Sequence, residues 1–431
     1  MKCLVDFLSD IYQKRLRRMS QSQADNYEEA LDLYKEIFIS QLRCAIKYSK
    51  ECKDCKLKCS IGCNKLRELL ESITDEEIYS FFKVIKEIYI LWIDAKWSES
   101  LRKFTEFMEH YNILEDLEAA DIKNSILFRG RVSKSILTPW DMYHIPFNKR
   151  YLVSNQRYSL TGQPMIYLGS SIVDIIEELE INDEQLKDFK VSTYKINKEI
   201  KIYDLRNNIY KDINENLIQD NSTLKLFSTK AFDESKFFRN LLSSVCSFEK
   251  RKEYKGFSFC EEYVIPQILA QTLKKEKFDG IAYYSTKKFD EIKFHLSEEV
   301  IKNDKDNSSE YNKITKTKYK ENVALFTNFT LDHVYDRLLF DNLKISVPID
   351  INRIEELNMS ELDYIYNEIG KMKEQSRITE ATIIYSNFRR EFDECYIGKL
   401  RYYETSIGKL HIYHIYIILN NILAKCKKEV N

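Results

Sequence analysis

The chain predicts an α+β protein, a central mixed α/β domain with a helical domain on each flank. Three observations carry that prediction. Five of the nine glycines (Gly130, Gly162, Gly169, Gly256, Gly280) and four of the five prolines (Pro139, Pro146, Pro164, Pro266) fall between residues 126 and 285. Turn formers gather where short strands must be joined. On either side, stretches such as EEIYSFFKVIKEIYILWIDAKW and NRIEELNMSELDYIYNEIGKMKEQ place apolar residues three and four apart with almost no breakers, which is the helical period. In the middle the apolar runs shorten to MIYLGS, KIYDL, GIAYYST and NVALFTNF, with one helical run, YVIPQILAQTLKK, among them. Short apolar runs bounded by turn formers read as strands.

In chain order, residues 1–122 form the N-terminal helical domain, with the clearest periodicity over 25–50 and 76–118. The opening MKCLVDFLSDIYQKRL carries Asp6 and Asp10 inside its apolar pattern. It reads as an amphipathic helix and not as an export signal. Residues 123–346 form the α/β domain, interrupted by the polar stretch 298–321, which is nearly free of the large aliphatics a core element needs. The helical pattern returns over 347–431, ending in IGKLHIYHIYIILNNILAKCKKE.

The bulk chemistry excludes several classes. The formal net charge is −1 on 431 residues, so the molecule as a whole has no pull toward nucleic acid or an anionic membrane. No apolar run approaches the roughly 20 residues of a membrane span. Ten cysteines without an export signal point to a reducing cytoplasm, with thiols free or on metal. No G-x-G-x-x-G follows any strand, so a Rossmann dinucleotide site is not expected.

The motifs concentrate in three separated blocks: LFRGR at 127–131, DMYHIPFNKRYLVSNQRYSLTGQPMIYLGSSIVDIIEEL at 141–179, and VIPQILAQTLKKEKFDGIAYYS ending at Ser285. In this order they resemble the RES domain, named for its Arg, Glu and Ser signature residues and found in bacterial toxin–antitoxin systems. The resemblance covers about half the chain, roughly residues 125 to 346, with an insertion between Glu178 and Ser285. It implies that Arg129, Tyr167, Glu178 and Ser285 are catalytic, and that Arg157 and His144 belong to the substrate site. It further implies NAD as a consumed substrate and not a recycled cofactor. The nicotinamide–ribose bond would be cleaved by phosphorolysis (with phosphate as second substrate) or hydrolysis, or ADP-ribose would be transferred to protein. An antitoxin or regulatory protein is the implied partner, as a separate chain.

The residue types suit that chemistry. A guanidinium grips a pyrophosphate bidentately, which fits Arg129 and Arg157. Cleavage at the anomeric carbon passes through an oxocarbenium-like state that a carboxylate stabilises, which fits Glu178. A tyrosine offers a flat face and a hydroxyl, and Ser285 can hydrogen-bond ribose or amide. Gly162 and Gly169 would let backbone approach the ligand closely. Each residue also has a plain structural reading: a salt-bridge arginine, a sheet-core tyrosine, a turn serine, and a structural role for His144. A non-catalytic binding module with a RES-like core is the competing reading of the whole; the joint presence of Arg129, Tyr167, Glu178 and Ser285 argues against it.

The segment SSIVDIIEELE reads as a helix entered from a small-residue loop, with Ile172, Ile175, Ile176 and Leu179 as its buried stripe. Glu177 and Glu178 lie about 100° apart around such a helix, so only one can face a pocket. The family spacing, eleven residues after the tyrosine, selects Glu178 and sends Glu177 to solvent.

The N-terminal domain adds CKDCKLKCSIGC, with Cys52, Cys55, Cys59 and Cys63 inside twelve residues. On a helix they span an arc of about 80°, which fits a cysteine-rich core seam. A turn near Gly62 would instead converge four thiolates on zinc, and a redox pair is the third reading. Arg102 and His110 are too far apart in sequence for the arginine–histidine spacing of HEPN-type nucleases, and no nuclease is expected.

Overall fold

The computed structural model describes residues 4–51, 61–114, 119, 122, 127–170, 175–176, 178–197, 199–206, 233–251, 259–286, 321–350, 359–372, 375–394, 396–397, 400–401 and 406–428. The α+β class holds, with helices on both flanks of one mixed sheet. Cys52, Cys55, Cys59 and Glu177 lie outside the described residues, as does the polar stretch 298–321 up to residue 320.

Among the described residues six helices precede the sheet: α1 Leu4–Leu8, α2 Asp10–Gln21, α3 Tyr27–Glu51, α4 Ile61–Ser72, α5 Asp75–Ile93 and α6 Trp97–His110. Cys63 falls in α4. The start of α5 follows from its sequence. Thr74 Oγ1 accepts from the Glu77 N–H at 3.2 Å while the Glu77 carboxylate accepts from the Thr74 N–H at 2.7 Å, a reciprocal capping box that satisfies two orphan donors.

The ends of the helices are less legible, and for one shared reason. Periodicity over 76–118 predicts one helical block, yet α5 stops at Ile93 and α6 starts at Trp97. Ala95 takes a left-handed φ of 59°, and the Lys96 N–H closes back on the Leu91 carbonyl at 2.9 Å. The same closure, six residues to one, recurs from Ile113 to Met108, Ile181 to Ile176 and Phe278 to Leu273, across Asn112, Glu180 and Lys277 with φ of 51°, 51° and 63°. This is the Schellman ending, which usually recruits glycine. A chain with nine glycines uses other residues for it.

The sheet runs β4-β5-β6-β2-β1-β3-β7, with β8 also on β3. Its strands are β1 Leu127–Val132, β2 Met165–Gly169, β3 Phe189–Ile196, β4 Ile202–Asp204, β5 Gly280–Tyr284, β6 Glu321–Phe326, β7 Leu343–Ile345 and β8 Ile349–Asp350. Only β4 and β5 pair in parallel; the other pairs are antiparallel. Residues directly opposite one another share a face, so the register Thr193↔Phe128↔Gly169↔Asn322↔Tyr283 puts those five on one side. Ser192↔Arg129 lies on the other.

The first face is covered by α7 Glu234–Val245 and α8 Val264–Lys275. Behind them the core runs without a break into α1–α6, from Phe326 and Ile281 through Phe237 and Ile268 to Tyr34 and Phe81. Helix α7 is buried over its whole length from Lys236 to Val245, so its apolar stripe is no guide to its place and the sequence does not advertise it. Residue Pro266 sits in the first turn of α8, where its missing N–H removes no bond. The second face packs Leu127, Ile166, Leu168, Tyr194, Val323 and Leu325 against Tyr143, Leu339 and Leu343. At the C-terminus α9 Met359–Gly370, α10 Gln375–Glu394 and α11 Ser406–Lys428 build a separate cluster around Leu362, Phe388, Ile415 and Leu419.

Candidate functional site

The site lies where three strands end together. Strand β2 stops at Gly169, β5 at Tyr284, and β6 begins at Glu321. Above this edge, on the first face, the helical residues Ile175 and Ile176 pack against Phe128, Phe189 and Val191. The helical backbone ends at Glu178 because Glu180 is left-handed. Leu179 is therefore 48% exposed, which corrects its place in the expected buried stripe; Ile181 takes a flank of that cluster instead.

Glu178 is the last helical residue before that end and reaches over the strand ends. Its Oε1 accepts from Asn322 Nδ2 at 2.9 Å and from Ser285 Oγ. Residues 107 and 144 positions apart in sequence thus meet on one carboxylate oxygen. Gly169, directly across from Asn322 on the same face, has no side chain to fill the ground between them.

Tyrosines line the surroundings. The Tyr167 hydroxyl shares a hydrogen bond with Ser159 Oγ at 3.1 Å. The Tyr158 and Tyr283 rings lie 4.6 Å apart. Burial, with the Glu178 charge adding to it, pushes the Tyr283 phenol up; burial also pushes up those of Tyr167 and Tyr263. At neutral pH these groups are neutral phenols, which orient and stack but do not act as bases.

Arg157 is brought to this group, where its guanidinium is bonded within the fold. Its Nη1 donates to the Cys246 carbonyl at 2.7 Å, and its Nη2 to the Phe248 carbonyl at 2.9 Å and to Thr286 Oγ1 at 2.7 Å. The guanidinium lies 4.9 Å from the Tyr263 ring centre. It ties the end of β5 to the turn after α7. The strand ends have a second tie, from buried Arg206, whose Nη1 meets Glu321 Oε2 at 2.7 Å and whose Nη2 meets Asp204 Oδ2 at 2.7 Å. Ser170 completes it, donating its N–H to the Glu321 carbonyl at 2.8 Å and accepting the Glu321 N–H on Oγ at 3.2 Å.

Two expected site residues are not brought here. Arg129 projects from the second face, beside Tyr194, whose phenol burial pushes up to about 12. Its Nη1 is buried without a hydrogen-bond partner among the described residues; burial pulls its pKa down, Tyr194 opposing and Arg131 adding. His144 is buried on that second face too. Its Nδ1 pairs with the Ile145 carbonyl at 2.7 Å and its Nε2 accepts the Asp336 N–H at 2.9 Å, so both ring nitrogens are occupied within the fold. Gly162 serves a turn, at φ 82° and with open space where a Cβ would stand.

Asn322, Tyr263, Tyr283 and Thr286 were not singled out by sequence. Tyr283 lies inside the motif that ends at Ser285 and Thr286 follows it, but Asn322 lies near the start of an ordinary-looking strand, and nothing local marks it. Among the described residues no group of three or more His, Cys, Asp and Glu side chains is arranged to hold a metal, and no helix is long and apolar enough to cross a membrane.

Comparison with known proteins adds one relative. Over 240 residues the chain is 30% identical to "Putative toxin YopC" of Bacillus subtilis (strain 168), an alignment that takes in 51% of each. The chain thus spans about half the length of that curated relative. No protein-family model and no solved structure matches it.

Proposed function

We propose that this chain is a toxin-type enzyme that consumes NAD by cleaving its nicotinamide–ribose bond. The observation that carries the reading is the meeting of Glu178 and Ser285, joined by Asn322, at one sheet edge with tyrosines nearby. Two of those three are residues that the RES resemblance selects on sequence alone. The relative named as a toxin supports the biological setting.

In the proposed reaction the bond between the anomeric carbon and the nicotinamide nitrogen breaks, and its electron pair neutralises the pyridinium. Glu178 stabilises the positive charge that grows on the ribose. A water or phosphate oxygen forms the new bond, and water loses its proton. Tyrosine faces hold the flat ring, and Ser285 and Tyr167 orient the sugar and amide through hydroxyls. Phosphate is a second substrate in one version of the reaction and absent in the other, and zinc has no part in either.

Incubation of the purified chain with NAD, with and without phosphate, tests this. Nicotinamide plus ADP-ribose marks hydrolysis; phosphorylated ADP-ribose marks phosphorolysis; label retained on protein marks transfer. Intact NAD under all conditions, with the chain folded, overturns the reading.

A further inference from the structure

The Glu178 carboxylate stands just before a helix end, at the end of three rotatable side-chain bonds. A carboxylate that must face a reacting carbon needs more than that to define its orientation. Two donors, Ser285 Oγ and Asn322 Nδ2, converge on its Oε1, and they differ in kind. A hydroxyl can turn and either donate or accept, whereas the amide nitrogen of asparagine can only donate and does not titrate. The backbone beneath Asn322 is also the better anchored. Its neighbour Glu321 is held by Arg206 at 2.7 Å, and Ser170 bonds the same residue through both its N–H and its hydroxyl. The Asn322 side chain is itself buried, and it sits across from Gly169, which leaves Glu178 the room to reach it.

We propose that Asn322 is the positioning residue for the Glu178 carboxylate, a permanent donor that keeps it in place while the Ser285 hydroxyl turns to the substrate. This rests on the NAD-cleaving reading above. Asn322 does not touch the reacting atoms; it acts through Glu178. Its loss should therefore appear in the turnover step and not in substrate capture.

The test uses the full chain with Asn322→Ala and Asn322→Asp. Removing one hydrogen bond to a charged group predicts a fall in kcat of roughly 10- to 100-fold, with KM and the melting temperature near wild type. Asn322→Asp keeps the shape but sets a second carboxylate against Glu178, so its loss should be at least as large. A second readout needs no activity. The Asn322 side-chain amide doublet in a nitrogen–proton NMR spectrum, assigned by its absence in Asn322→Ala, should shift in Glu178→Ala. Unchanged kcat in both Asn322 variants, or a loss seen only as raised KM or lowered melting temperature, overturns the proposal. If wild-type chain leaves NAD intact, the functional reading fails by itself. The doublet then decides separately: a shift keeps Asn322 as the holder of Glu178, and an unmoved doublet removes it.

Discussion

The two faces of the central sheet carry the same kinds of residue under opposite conditions. On the first, the Glu178 carboxylate receives two donors and the Arg157 guanidinium is engaged by two carbonyls, Thr286 and a tyrosine ring. On the second, Arg129 carries a buried nitrogen with no partner among the described residues, while His144 is satisfied at both nitrogens. Polar residue type alone therefore does not mark a site. What marks the first face is that a hydroxyl and an amide from distant segments converge on one carboxylate oxygen of Glu178.

The sharpest way to break this comparison is Glu178→Gln. It keeps size and removes charge, so NAD cleavage should fall by about 10³-fold or more, on the scale of lost charge stabilisation at a transition state, with the unfolding midpoint little changed. Glu177→Gln, measured beside it, should stay near wild type; reversed effects would shift the register of the motif by one residue.

Next in size is Gly130→Ala. A Cβ there would stand 2.1 Å from Phe189 Cζ and 2.9 Å from Ile175 Cγ2, the residues that seat the segment ending at Glu178. Overpacking of this kind costs about 1–3 kcal/mol. Denaturant unfolding should show the loss, and activity should drop with it if that segment is displaced.

Arg129→Met tests the second face. Removing a partly buried cation that has no carboxylate partner among the described residues should be neutral or stabilising by about 1 kcal/mol, and NAD turnover should stay within about tenfold of wild type, roughly 1.4 kcal/mol. A drop of two or more orders of magnitude with an unchanged midpoint would place Arg129 in the reaction, as the family resemblance implies.

His144 gives a pH signature. Burial lowers its pKa, with the Ile145 carbonyl opposing, so in the folded state it binds its proton less readily than the ordinary value of about 6.5 allows. The unfolded chain then takes up more protons as pH falls below that value, and stability decreases with it. The melting temperature should fall between pH 7.5 and 5.5. The slope should be flatter in His144→Asn, which does not titrate; equal slopes would remove His144 from the linkage.

The smallest expected effect concerns helix ends. Ala95 bears a left-handed backbone that costs about 1 kcal/mol or more for a residue with a Cβ. Part of that gain is lost to the added freedom of glycine in the unfolded chain. Ala95→Gly should still stabilise by about 0.5 kcal/mol, read as a raised denaturation midpoint.

Much of this molecule is readable in its sequence. The helical periods place α3 and α5, and the short apolar runs place β2, β4, β5 and β6, because both follow from local alternation of apolar and polar residues. Strand β3 and helix α7 escape. FKVSTYKI mixes its polar residues across both faces, and ESKFFRNLLSSV is buried all round, so neither shows the pattern of an element with one wet side. Glu178 and Ser285 are selected by motif order. Their shared oxygen, and Asn322 beside them, depend on β5, β6 and the segment ending at Glu178 meeting at one edge, which is a matter of long-range strand order. Likewise the side of the sheet that Arg129 faces depends on register, since a one-residue shift would carry it to the other face. Composition and periodicity determined most of the elements, β3 and α7 apart. Only the tertiary pairing of strands decided which charges meet, because contacts between residues more than a hundred positions apart are set by register and packing and by nothing local to either residue.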